Sequence, residues 1–133
     1  MDPSRLPPDR RHLDAEDRAA LLRFELLVQL GRHEEAQDVV EDLWREATDA
    51  HRRFYQGLAN ALTAVCARQY RQPRGAHEIA ERTRTMLAPY PRRSLGFDLD
   101  ALLDSVDEFV LRGSGPVLLL RQGEAADLQR RFG

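Results

Sequence analysis

Two short stretches carry residues whose types and spacing could do chemistry. His33-Glu34-Glu35-Ala36-Gln37 is one residue away from His-Glu-x-x-His, in which two imidazoles a helical turn apart hold zinc and the glutamate acts as general base. His77-Glu78-Ile79-Ala80-Glu81 comes equally close. In the first stretch the second ligand would be the neutral amide of Gln37, a poor substitute for imidazole on zinc, so His33 reads as a partly exposed histidine at a helix start. In the second, His77 and Glu81 at i, i+4 could chelate a metal, but two ligands are too few, and a surface hydrogen bond is the ordinary use of such a pair. A di-iron bundle would need Glu-x-x-His, a spacing that does not occur in this chain. No cofactor is expected.

Other reactive side chains form no set. Cys66 sits in an alanine-rich apolar segment, where a free thiol fills space. Ser94 and Ser105 read as loop and helix-surface residues. There is no Gly-x-Ser-x-Gly, no phosphate-binding glycine loop, and no cysteine and histidine at nucleophile spacing.

The elements that must position these residues are helices. Residues 1–12 hold three prolines and five charges and predict an extended arm. Asp14 caps a first helix that runs to Gly31. A second follows from His33 to Ala47, so close behind that the two form an antiparallel hairpin. The third, His51 to Tyr70, is apolar around most of its circumference and should be central. Gln72-Pro73-Arg74-Gly75 reads as a break before a fourth helix, Ala76 to Ala88, and the two make a second hairpin. Asp98 caps a fifth, with Phe97 and Leu102 placed as a hydrophobic staple. The expected fold is all-α: a compact bundle of about five helices, two antiparallel hairpins plus a fifth helix, over residues 13–112. Residues 113–133 form a tail packed on the bundle or on another copy, with Val117 to Leu120 lacking an obvious strand partner and Glu124 to Phe132 suited to one or two helical turns.

At about 100° per residue, Ala36, Val39, Val40, Leu43 and Ala47 make the buried stripe of the second helix, with His33, Gln37 and Trp44 on one margin and Glu41 just outside. The fourth helix repeats this at an offset of 40 residues, with His77, Glu81 and Arg84 where Gln37, Glu41 and Trp44 stand. Gly-Arg-His-Glu-Glu-Ala before an apolar stripe also looks like tetratricopeptide hairpins, but that repeat is about 34 residues long and needs about three copies.

Composition narrows the partners. All 20 basic residues are arginine, yet the net charge is -2, which argues against a surface built for phosphate. Arg68 to Arg93 carries seven arginines against Glu78 and Glu81, whereas Asp98 to Glu108 carries five acids and no base, so neighbouring helices of opposite sign should attract each other. With one cysteine, no apolar leader in the first residues, and an apolar run too short to span a bilayer, a cytoplasmic location of bacterial type and no membrane contact are expected.

Four blocks together resemble the domain of unknown function family 309: VVEDLWRE from Val39, FYQGL from Phe54, the turn Pro73-Arg74-Gly75-Ala76, and PRRSLGFDL from Pro91. They span about residues 20 to 105. The resemblance implies a small helical bundle in a family with no established activity. The family pattern in the second helix is approximately A-H-E-V-x-E-D-L-W; Ala36, Val39, Glu41, Asp42, Leu43 and Trp44 match, but Gln37 and Asp38 stand where the family has histidine and glutamate. Any polar cluster built on that histidine is therefore incomplete here.

The expected function is a non-catalytic interaction or scaffold domain that binds a protein partner in a helical groove containing Glu41, Trp44, Tyr55 and Gln56, with homo-oligomerisation as a separate option. An alternative is a carboxylate and histidine site, with or without a metal, which requires Glu41 to converge with His77 and Glu81 across the hairpins. A third is arginine-mediated nucleic-acid binding through Arg68 to Arg93.

Overall fold

The computed structural model describes residues 6–120. Within them the order is α1 (Ala15–Gln29), α2 (His33–Glu46), α3 (Asp49–Gln69), α4 (Pro73–Leu87), a two-residue hairpin of β1 (Arg93–Ser94) and β2 (Phe97–Asp98), and α5 (Leu99–Arg112). The all-α bundle expected from periodicity is the architecture found. α3 lies between α2 and α4 and also meets α5, while α1 packs on α2. The two hairpins meet at the α2–α3 interface.

The offset of 40 residues is structural. At the turn after α1, Gly31 lies in the left-handed region (φ 73°) and the Arg32 N–H reaches back to Leu27 O at 2.9 Å. After α3 the same turn recurs with Arg71 at φ 61° and the Gln72 N–H on Ala67 O at 2.9 Å. Both close the last helical turn by the same bond pattern, but the second does so with a side chain in a conformation that favours glycine. Pro73, read as part of a break, instead occupies the first turn of α4, where its missing N–H costs nothing.

The linker and both flanking segments are more structured than their composition suggests. Leu95 (φ 48°) and Gly96 (φ 84°) turn the chain between β1 and β2, and the N–H groups of both residues donate to Pro7 O and Pro8 O. Arg10 donates to Leu95 O at 2.7 Å, pairs with Glu25 of α1, and stacks on Phe97 at 4.7 Å. Leu6 and Leu13 are buried, so residues 6–13 run along the bundle rather than away from it. At the other end the Asp98 N–H donates to Leu119 O, and Val117 and Leu119 are buried. Ser105, expected on the helix surface, is buried: its hydroxyl accepts from the Leu118 N–H at 2.8 Å and donates to Leu102 O at 2.9 Å. Ser94, expected in a loop, is a buried strand residue whose hydroxyl donates to Pro91 O. The arm's residues 1–5 and the terminal turns expected from Glu124 lie outside the described residues.

Opposite charges along the chain become contacts. Arg84 of α4 reaches Asp104 and Asp107 of α5, and Arg92 reaches Asp100. Arg68 donates to Val110 O near the end of α5, and Arg92 also donates to the carbonyls of Leu87, Ala88 and Tyr90 that close α4. Arginine's fixed fan of donors suits these multiple acceptors.

His33 corrects an expectation. It is 7% exposed rather than partly solvated, and its ring meets Phe109 of α5 edge-on at 5.6 Å. The first residue of α2 sits over the far end of α5, which no local pattern announces. Burial lowers its pKa, with a Gln69 hydrogen bond opposing.

Two predictions follow from these positions. Replacing Arg71 by Gly removes the left-handed strain and is expected to stabilise the fold by about 0.5–1 kcal/mol in urea unfolding, whereas Gly31→Ala costs a similar amount. For His33 the unfolded chain takes up a proton below the ordinary value of 6.5 before the folded chain does. Stability should therefore fall as pH drops below that value and level off once the folded imidazole also titrates. His33→Phe keeps the ring contact and should flatten this part of the profile in melts between about pH 7 and 5; an unchanged slope would assign it to other groups.

Candidate functional site

α2 has two flanks, and its neighbours give them different characters. The flank toward α3 carries Gln37, Glu41 and Trp44 at i, i+4, i+7. Gln37 Nε2 donates to Thr63 Oγ1 of α3 at 2.8 Å and to Glu41 Oε1 at 3.2 Å, and the Thr63 hydroxyl passes its own proton to Ala59 O. The Gln37 amide thus bridges the two hairpins. Trp44 is half-buried against the core, and its indole N–H has no hydrogen-bond partner among the described residues. The antiparallel run that sets Gln37 beside Thr63 brings Trp44 level with the half-buried Gln56 of α3.

Three of the four groove candidates, Glu41, Trp44 and Gln56, therefore share the α2–α3 seam. Tyr55 does not join them. One residue on from Phe54, it points into the protein at 1% exposure, its ring near those of Phe54 and His51. Its hydroxyl has no partner among the described residues, and burial pushes the phenol far above its ordinary value, with Asp17 and Asp14 adding to the effect. A ring so placed cannot line an open surface.

His77 and Glu81 are exposed on α4. They share a flank with Arg84, which faces α5. The side of α4 toward the α2–α3 seam is marked by Met86, whose sulfur accepts from Asn60 Nδ2 of α3. With α2 and α4 on opposite flanks of α3, Glu41 is not brought to His77 and Glu81. Among the described residues no three histidine, cysteine, aspartate or glutamate side chains are grouped closely enough to hold a metal ion. Cys66 is buried, its thiol pushed up to about 11 chiefly by burial and secondarily by Glu34 and Asp38, so it is a weak nucleophile at neutral pH.

The other flank of α2 opens a groove against α1 of about 330 Å³. Its floor is Ala20, Leu27, Val39 and Leu43, and its walls are Glu16 and Asp17 from α1 with Glu35, Asp38, Asp42 and Glu46 from α2, against one base, Arg23. Among the described residues only Glu35 and Asp42 have close arginine partners, the exposed Arg32 and Arg45 a turn away on the same stretch of chain. The uncompensated charge is felt at Asp17: burial, then Asp14, Glu46 and Glu16, raise its pKa, with His51 opposing. Like charges gathered beside an apolar floor cost stability that a cationic occupant would recover.

Sequence reasoning passed over this groove. Each acid looks like one of many on a solvated helix face, and the six stand in separate helices from Glu16 to Glu46. The available signal was the pairing of two amphipathic helices whose facing margins are both acidic, and that pairing becomes specific only once the hairpin's rotation is known.

Among the described residues no helix is long and apolar enough to cross a membrane. Comparison with curated proteins and with solved structures returned no match. Residues 21–79 match the family model described as Domain of unknown function (DUF309). That match runs from α1 through α3 into α4, containing the α2–α3 seam and most of the acidic groove; over these residues the chain is similar to that family.

Proposed function

We propose that this protein is a non-catalytic interaction domain whose α1–α2 groove receives a basic, amphipathic segment of a partner protein. The observation that carries the reading is the composition of that groove: an apolar floor walled by six carboxylates and one arginine. An amphipathic helix with leucine-like side chains on one face and arginine or lysine beside them would bury the floor and neutralise the walls together. The half-buried Trp44 and the Gln37–Thr63 bridge support the reading from the other side, since they fix α2 against α3 and hold one wall of the groove rigid. The metal-assisted alternative loses its motivation where Glu41 and His77 fail to meet. The nucleic-acid alternative loses part of its own where Arg68, Arg84 and Arg92 are engaged with α4 and α5. A buried cysteine is at home in the cytoplasm, where we place the protein.

Selection from a random peptide library displayed against the folded protein tests this. Enriched sequences should place arginine or lysine at i, i+3 or i+4 around apolar anchors. Their affinity should drop by about tenfold or more in the Asp42→Arg/Glu46→Arg double variant and weaken between about 0.05 and 0.3 M salt. Enriched peptides without positive charge, or binding indifferent to both changes, would overturn the proposal.

A further inference from the structure

α1 is apolar on two opposite faces. Leu21, Phe24, Leu27 and Val28 face the core. The outer face carries Ala15, Ala19, Leu22, Leu26 and Leu30, and its three leucines are 54%, 52% and 68% exposed. No charge interrupts this stripe, whose spacing of four, three and four residues from Ala15 to Leu26 is that of a coiled-coil seam. A helix apolar on both faces is ordinarily covered on both.

We infer that the outer face of α1 is covered by α1 of a second copy, running antiparallel across a two-fold axis. The argument is that this face is complementary to itself in that orientation and in no parallel one. Pairing antiparallel about the midpoint between Ala19 and Leu22 sets Ala19 against Leu22 of the second copy and Ala15 against its Leu26, small opposite large at each level from Ala15 to Leu26, with Leu30 beyond the overlap. In an antiparallel pair each flank of the seam meets the same flank reversed. One flank carries Glu16 and Arg23, the other Arg18 and Glu25, so reversal puts an acid opposite a base on both sides. A parallel pair would bring like residues to the same level. Glu25 already holds Arg10 within its own chain, leaving Glu16 and Arg23 as the cleaner pair.

α1 has 15 residues, so a single helix pair falls below the size of a standard stable interface, and association should be concentration-dependent. The test is molecular mass by sedimentation from about 1 to 200 µM. Wild type should pass from monomer to dimer over that range. Leu26→Glu should remain monomeric with its helical signal and melting midpoint unchanged, since the residue touches no core. Glu16→Arg and Arg23→Glu should each weaken the dimer about fivefold or more, and the double exchange Glu16→Arg/Arg23→Glu should recover most of the loss. These two residues also border the groove, but mass reports pairing alone. A wild-type protein monomeric throughout, a Leu26→Glu variant that dimerises like wild type, or a double exchange no better than its single variants would each overturn the inference.

Discussion

The burial of α3 is the constraint on which the structure depends. Its 21 residues are apolar around most of the circumference, with Phe54, Leu58, Ala61, Leu62, Ala64 and Val65 all inaccessible to water, so it must be enclosed before any other helix is. α2, α4 and α5 supply the enclosure. α4 approaches closely at Gly57: a Cβ added there would lie 2.5 Å from Leu87 Cδ2, so the glycine lets a fully buried leucine sit against the α3 backbone. At the start of the helix Phe54 packs on Tyr90 and Phe97, which ties the hairpin after α4 to the same core. Placing α2 and α4 on opposite flanks of α3 is a direct consequence, and it separates the two histidine-bearing stretches. α1, left to pack on α2 in an outer position, creates the acidic groove and keeps a second apolar face in view.

Arginine does the work of closing this arrangement. Helix ends leave carbonyls without partners, and here Arg68 and Arg92 reach such groups near the ends of α5 and α4. Arg10 ties its own segment to α1 and to the β1–β2 hairpin, through the Leu95 carbonyl and the Phe97 ring. Several ion pairs are solvent-exposed and worth little individually. Their value is directional, because the basic run in α4 and its following loop meets the acidic α5 and so favours one order of packing.

The acidic groove runs against this pattern. Elsewhere opposite charges were brought together, whereas Glu16, Asp17, Asp38 and Glu46 share a cleft with only Arg23 among them. The cost appears at Asp17, whose charged form burial and its neighbours disfavour. Local violations of an otherwise consistent design tend to mark surfaces shaped by something other than stability, and the α2 wall of this one lies within the family-matched residues.

Helix number, the hairpin pairing, the caps at Asp14 and Asp98 and the offset of 40 residues were legible because each is written in local terms: a 3.6-residue period, a capping side chain, a turn residue. The same locality allowed the rejection of His33 and Gln37 as a zinc pair, which needs only ligand chemistry. Tyr55, His33 and Ser105 were misplaced for one shared reason. Periodicity says which side of a helix faces the core, but not how far a neighbouring segment extends over its edge. Tyr55 stands in the shelter of the α1 side, His33 under Phe109, and Ser105 beneath a tail 13 residues further along. The sequence by itself determined the helices and their apolar faces, because those follow from short-range backbone geometry. Only the tertiary structure decided which flank of α2 meets α3 and which opens toward α1, because that depends on helix rotation within the packed core, set by long-range contacts around α3.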